Sequence, residues 1–312
     1  MKKALFVVSL PVLAFIFVLL SAAYSFFSWF PSTEEIRGCM KTTMYAVDLC
    51  PGSKTYTPLN RISKFVQQTV VLTEDSGFYQ HRGFDQEGIE HCFEKMKEKK
   101  KIVCGGSTLT QQLAKNLFLH KDKNFLRKGL EALITIKIEN SLSKKEILER
   151  YLNVVQFGKN IFGIKQAAEF YFKKSPSELN VLESSFLAMI LPNPEKYSQS
   201  YYRKDLTKFA RRRLSDIIEK LYKYNRINQS DYLYAESNLD FFLKSGTDRN
   251  AQNRPTEDLS SEDLSEMLDQ VSEPHDDRPV SKPNATPDLK NVEHQDDSEA
   301  IQNEKPEVEL QN

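Results

Sequence analysis

The sequence predicts a mainly helical domain held outside a membrane, and three observations carry that prediction. Glycine is scarce, 11 of 312 residues, while Leu, Lys and Glu are common, a helix-favouring composition. Helix-start signals recur at Thr108/Gln111, Ser143/Glu146 and Ser175-Pro176-Ser177-Glu178. An uncharged apolar run extends from Ala4 to about Tyr24 behind Met1-Lys2-Lys3.

That run has the ~20 residues a helix needs to cross a bilayer. Lysines before it and none just after it put the N-terminus in the cytoplasm and the body outside. Tyr24, Phe26, Phe27, Trp29 and Phe30 then read as an interfacial aromatic belt. A retained anchor is the reading preferred here. A cleaved signal peptide, ending near Ser21-Ala22-Ala23, is the alternative. In an oxidising compartment Cys39, Cys50, Cys92 and Cys104 are able to form disulfides, and proximity favours Cys39–Cys50 and Cys92–Cys104. Four small buried hydrophobes are the competing reading.

The zero net charge hides an asymmetry. Residues 246–312 hold 18 acidic and 6 basic side chains, and residues 1–245 hold 25 acidic and 37 basic. A basic body suits an anionic ligand or surface. No nucleic-acid recognition motif is present, so a lipid or membrane face is the better match and no nucleic-acid partner is expected. The tail from Gly246 has no aromatic residue and is rich in charge and proline, which predicts disorder.

Between these ends the helices follow in order. Thr57–Thr73 reads as a helical approach that delivers Glu74-Asp75-Ser76-Gly77-Phe78-Tyr79-Gln80-His81-Arg82-Gly83. Two adjacent carboxylates after Val70-Val71-Leu72 are a costly placement unless they have partners or work, and Glu74 is a candidate general base. A helix end running into a solvated loop is the plainer alternative. The basic run Lys95–Lys101 reads as a solvated loop. The stretch Gly105–Asn116 is the centre of the chain. Its glycines let backbone pass close to a ligand, and a helix begins at Thr108. Leu109, Leu113, Ala114, Leu117 and Phe118 share one face; Thr108, Gln111, Gln112 and Lys115 share the other. Uncharged amides around a single ammonium suit an anion-bearing ligand at a helix N-terminus. A soluble helix that is merely Gln-rich remains the alternative.

The next helix, Arg127–Asn140, is apolar almost all round, which predicts burial. Glu131 on it must then be paired, protonated or functional, and an Arg127–Glu131 pair is the simplest account. Further helices are expected over Lys144–Asn153, over Phe162–Phe172, from Ser175 to a stop at Leu191-Pro192, over Asp205–Tyr224 and over Asp231–Asn238.

Five of these stretches, in this order, resemble the motifs of glycosyltransferase family 51, the peptidoglycan glycosyltransferases. They are Glu74–Gly83, Gly105–Asn116, Arg127–Glu131, Lys145–Asn153 and Gly158–Phe172, and the resemblance spans about residues 55–225. Length and a single anchor are most similar to the monofunctional members. The resemblance implies a lysozyme-like helical domain with a small membrane-proximal lobe. It divides the chain into 1–30 (cytoplasmic end, anchor, belt), 31–245 (glycosyltransferase domain) and 246–312 (acidic tail).

It also implies polymerisation of lipid II at the outer face of a bacterial cytoplasmic membrane. Glu74 is then the base and Glu131 the second essential carboxylate. Substrate contacts fall to Gly106, Ser107, Thr108, Gln111, Gln112, Lys115, Asn116, Lys123, Arg127 and Lys128. At position 123 many relatives carry arginine; lysine keeps the charge but loses the bidentate fork. A divalent cation, Mg²⁺ or Mn²⁺, is implied on the pyrophosphate, with metal-binding residues unassigned. Partners implied are the nascent glycan chain, the membrane and other cell-wall synthesis proteins that meet the anchor or tail. A lytic lysozyme-like enzyme and an inactive lipid II-binding scaffold are the rival readings.

Overall fold

A computed structural model of the chain describes residues 12–21, 24, 25, 28, 30–99, 106–122 and 124–244. The chain divides after Val280, and every described residue falls in the part before that point. The described part is mainly helical, as the composition and start signals predict. Its helices are α1 (Thr33–Arg37), α2 (Lys64–Glu74), α3 (Gln86–Lys99), α4 (Leu109–Phe118), α5 (Phe125–Ser141) and α6 (Lys144–Val154). They continue with α7 (Gly163–Phe172), α8 (Val181–Ile190), α9 (Pro194–Tyr197), α10 (Gln199–Arg203), α11 (Lys208–Lys223) and α12 (Gln229–Asn238). Two short antiparallel ribbons complete it. β1 (Met40–Lys41) pairs with β2 (Asp48–Leu49), Met40 opposite Leu49, and β3 (Gln156–Gly158) pairs with β4 (Ile161–Phe162). The Cys39–Cys50 disulfide ties the first ribbon, as proximity predicts. Cys92 is also disulfide-bonded, while Cys104 lies outside the described residues.

The core is organised around α8, buried at every residue from Val181 to Ile190. Such a helix has no solvent face to satisfy, so its one carboxylate, Glu183, is taken by Lys174 at 2.7 Å. α2 packs on α8, and α11 covers both. α4 packs against α5 and α6 through Leu109, Leu113 and Leu117, all fully buried, which is the apolar face expected of it. Its start has the predicted capping box: Thr108 accepts from the Gln111 N–H, and the Gln111 side chain accepts from the Thr108 N–H. Its last carbonyls are satisfied from outside, Leu117 by the Thr43 N–H and Asn116 by the Met44 N–H.

Several expectations change. The approach to Glu74 is a 3₁₀ turn at Leu59–Arg61 followed by α2 from Lys64, because Ser63 caps the helix there. Lys95–Lys99 is not a loop but the end of α3. Ser175–Glu178 closes its capping box on a 3₁₀ turn alone, and Asn180 starts α8 with a box of its own to Glu183.

The largest difference is α5. Its residues Glu131, Ile134, Thr135 and Ile138 are buried, but Phe125, Leu126, Leu133 and Ile136 are exposed, Phe125 to 98%. An all-round apolar helix is therefore only half covered here, and it leaves an apolar face open.

Residues 12–21 are helical, and no described helix is long and apolar enough to cross a membrane. The expected span Ala4–Tyr24 lies partly outside the described residues, as the expected disordered tail 246–312 does wholly.

One glycine fixes how the segment after α2 crosses α5. Gly83 has φ +85°, and a Cβ there would stand 2.7 Å from Thr135 Cγ2 and 3.2 Å from Glu139 Cγ. Its carbonyl accepts from Thr108 Oγ1 at 2.7 Å, which joins this turn to the start of α4. Gly83→Ala is expected to destabilise the protein by about 2–4 kcal/mol, from left-handed strain plus overpacking. Urea unfolding reads it as a lower midpoint; an unchanged midpoint would show that the turn relaxes freely.

Candidate active site

Glu74 closes α2, whose apolar residues Val66 and Val70 are fully buried and fix the helix in place. The chain then turns at Asp75, and that turn aligns the site. The Asp75 carboxylate is buried, accepting from the Leu109 N–H at 2.9 Å and holding His81 Nε2 at 2.8 Å. A carboxylate at the first residue of α4 suits the free N–H groups and positive end of that helix. So Asp75 pins the end of α2 to the start of α4, and Glu74 comes to lie over the polar face of α4.

There Gln112 Nε2 donates to Glu74 Oε2 at 3.1 Å. Gln112 Oε1 in turn accepts from the Tyr151 hydroxyl on α6 at 3.0 Å. Lys115 follows Gln112 by three residues on the same face, a rise of about 4.5 Å. Its ammonium takes part in none of the hydrogen bonds or ion pairs seen among the described residues. Burial pulls its ammonium below the ordinary lysine value, with Glu131 and Glu74 opposing and Arg127 and Lys128 reinforcing the shift. Burial pushes the Glu74 carboxyl above the ordinary range; the Gln112 hydrogen bond, Arg213 and Lys115 oppose this, and Asp75 adds to it. The Glu74 carboxylate and the Lys115 ammonium thus lie within electrostatic reach of one another.

Glu131, on α5, is 2% exposed and fully paired. Arg127 Nη1 donates to it at 2.9 Å and Lys128 Nζ donates to its other oxygen. The expected Arg127–Glu131 pair thus forms, and Lys128 joins it. Lys128 also reaches Ser107 Oγ at 3.2 Å, which links α5 to the segment before α4. The structure therefore brings Glu74, Gln112, Lys115, Glu131, Arg127, Lys128 and Ser107 together along one polar seam. Gly106 is exposed, and a Cβ added there would meet only open space. Thr108 and Gln111 spend their side chains on the helix start and Gly83, and Asn116 is buried. Lys123 lies outside the described residues.

Sequence alone leaves Asp75 as a carboxylate in need of a partner and His81 as a structural hydrogen-bonder, both as found, and it gives no role to Tyr151 or Arg213. Signals for these last two exist. Arg213 is half-buried at the edge of the buried stripe of α11 formed by Ala210, Leu214, Ile217 and Ile218, where a guanidinium needs a reason. Tyr151 sits on the core stripe of α6 with Ile147, Leu148 and Leu152, and a fully buried phenol needs an acceptor. Among the described residues no three His, Cys, Asp or Glu side chains gather to hold a metal ion.

The fold and seam define a helical domain in which a half-buried carboxylate, Glu74, shares one polar seam with an ammonium, Lys115, that pairs with nothing among the described residues. A family model described as Transglycosylase matches residues 42–222, and the chain belongs to that family. Similar proteins carry the name biosynthetic peptidoglycan transglycosylase. That of Azoarcus sp. (strain BH72) is 48% identical over 147 residues, 47% of this chain and 64% of the relative. That of Aromatoleum aromaticum is 47% identical over 146 residues, again 47% and 64%. That of Acinetobacter baylyi is 38% identical over 187 residues, 59% of this chain and 84% of the relative. The first two matches thus span a little under two thirds of the relatives' length.

Proposed function

We propose that this protein polymerises lipid II into peptidoglycan glycan strands, with Glu74 as general base and Lys115 as the cation on the departing pyrophosphate. The observation that carries the reading is the 3.1 Å Gln112–Glu74 hydrogen bond, which sets the carboxylate one helical turn from an unpaired ammonium. In the step proposed, Glu74 takes the proton of the acceptor sugar's 4-hydroxyl as that oxygen attacks the donor's anomeric carbon. The anomeric C–O bond to undecaprenyl pyrophosphate breaks, its electrons go to the leaving oxygen, and the α-linked donor becomes a β-linked product. A pyrophosphate leaving group needs positive charge rather than a proton, and Lys115 is free to supply it. Lys123 is proposed, on the resemblance alone, as a further phosphate contact. Arg127 and Lys128 extend the positive seam while Glu131 orients them.

Gly106, Ser107, Thr108, Gln111 and Asn116 are read as the substrate-binding end of this seam, the open space at Gly106 being room for substrate. Among the described residues the implied divalent cation finds no carboxylate cage. Asp75 and Glu131 are committed to His81, Leu109, Arg127 and Lys128, so no step is routed through a metal here. A lytic reading needs Glu74 as an acid, which burial favours and the Gln112 hydrogen bond opposes; the Lys115, Arg127 and Lys128 cations, which a hydrolase does not need, favour glycosyl transfer.

The uncovered apolar face of α5 supports a membrane-proximal lobe of a lysozyme-like domain, anchored through the segment Ala4–Tyr24 outside the cytoplasmic membrane. The acidic tail is then left for other cell-wall synthesis proteins. Detergent-solubilised protein given labelled lipid II and a divalent metal tests the proposal. Long lysozyme-sensitive polymer is the result expected. Binding without polymer would leave the scaffold reading instead.

A further inference from the structure

The polar chain behind the carboxylate points to a device that sets its protonation. Tyr151 is fully buried, and its hydroxyl meets Gln112 Oε1. A primary amide presents one acceptor and two donors in opposite directions, so its neighbours decide which end faces which. With the phenol donating to Oε1, only the NH₂ is left to face Glu74. Reversing the amide would turn Oε1 toward the carboxylate, an arrangement that pairs only when Glu74 carries a proton. It would also turn the NH₂ toward the phenol, whose own O–H would then lose the acceptor it has in this structure. An unpaired buried hydroxyl is unfavourable. We infer that Tyr151 is a positioning residue that acts through Gln112 to hold Glu74 in its ionised, proton-accepting form. This rests on Glu74 being the base, and it assigns the base's state to a residue two side chains away.

Other groups around Glu74 are Arg213 from α11, Lys115 from α4 and Asp75 beside it. From α8, Glu183 is already paired with Lys174. The Tyr151 phenol keeps its proton, because burial, with Glu74 and Asp75, holds it well above the ordinary tyrosine value. It therefore remains a donor across the working range.

The test is the pH dependence of initial polymerisation rates for wild type and Tyr151→Phe, from about pH 5.5 to 9. The acid limb is expected to move up by about one pH unit, so the loss is about tenfold at the acid end and shrinks toward the alkaline end. An equal loss at every pH would show a packing role only and overturn the inference. Incorporation of 3-fluorotyrosine at position 151 keeps the ring and strengthens donation, and it covers the case of a poorly folding phenylalanine variant. It is expected to move the same limb down; an unmoved limb counts against the inference. Glu74→Gln separates the two claims. If that variant still polymerises, the base assignment itself fails. If it is silent while the position 151 variants show no shift, the relay alone fails.

Discussion

Glu74→Gln is expected to cut polymerisation by about 10²–10⁴-fold while leaving lipid II binding close to wild type, because the amide keeps the shape and loses only the proton acceptor. The same substitution is expected to stabilise the fold at neutral pH, by about 0.5–2 kcal/mol, since a site that needs a buried charge trades stability for function. The sign follows from burial raising the carboxyl of Glu74. A group whose folded pKa lies above its unfolded value contributes stability fully present below the unfolded value and lost as pH rises through the folded one. Wild type therefore loses stability over that window and the glutamine variant does not. Melting curves at several pH values should show the advantage of Glu74→Gln at pH 7 fading below about pH 4. A variant less stable at pH 7 would mean that Gln112, Arg213 and Lys115 more than offset the cost of burial.

Lys115→Met should lower the polymerisation rate by about 10²–10³-fold, the usual loss when a group stabilising transition-state charge is removed. Its effect should fall on kcat as well as KM, because charge on the pyrophosphate grows as the anomeric bond breaks. Burial lowers the lysine's pKa, so the folded state gives up its proton more readily than the unfolded chain. Wild-type stability therefore rises with pH through the folded value, and the gap to the methionine variant closes toward alkaline pH. An effect confined to KM would place Lys115 in ground-state binding alone.

Much of this was legible in the sequence where local rules decide. The capping boxes at Thr108, Ser143 and Ser175 all form, and the two faces of α4 are as its periodicity predicts. Local rules fail where partners come from far along the chain. Nothing near Asp75 announces that it pins Leu109, 34 residues on, and that bond is what brings Glu74 over Gln112. Tyr151 and Arg213 read as one core aromatic and one more cation on a basic helix. Their roles follow from α6 and α11 packing beside α4 and α2, which periodicity does not encode. α5 misleads for another reason. Apolar residues on every face predict burial only if protein covers every face, and here the side with Leu126, Leu133 and Ile136 is left open.

That base and cation serve one cleft is tested most directly by melting wild type, Glu74→Gln and Lys115→Met against rising concentrations of inorganic pyrophosphate. Binding to the folded state raises the melting temperature by an amount that grows with the logarithm of ligand concentration over Kd. Pyrophosphate should stabilise wild type, stabilise Glu74→Gln more strongly because a neighbouring negative charge is gone, and leave Lys115→Met nearly unmoved. Identical titrations for all three proteins would contradict a shared cleft.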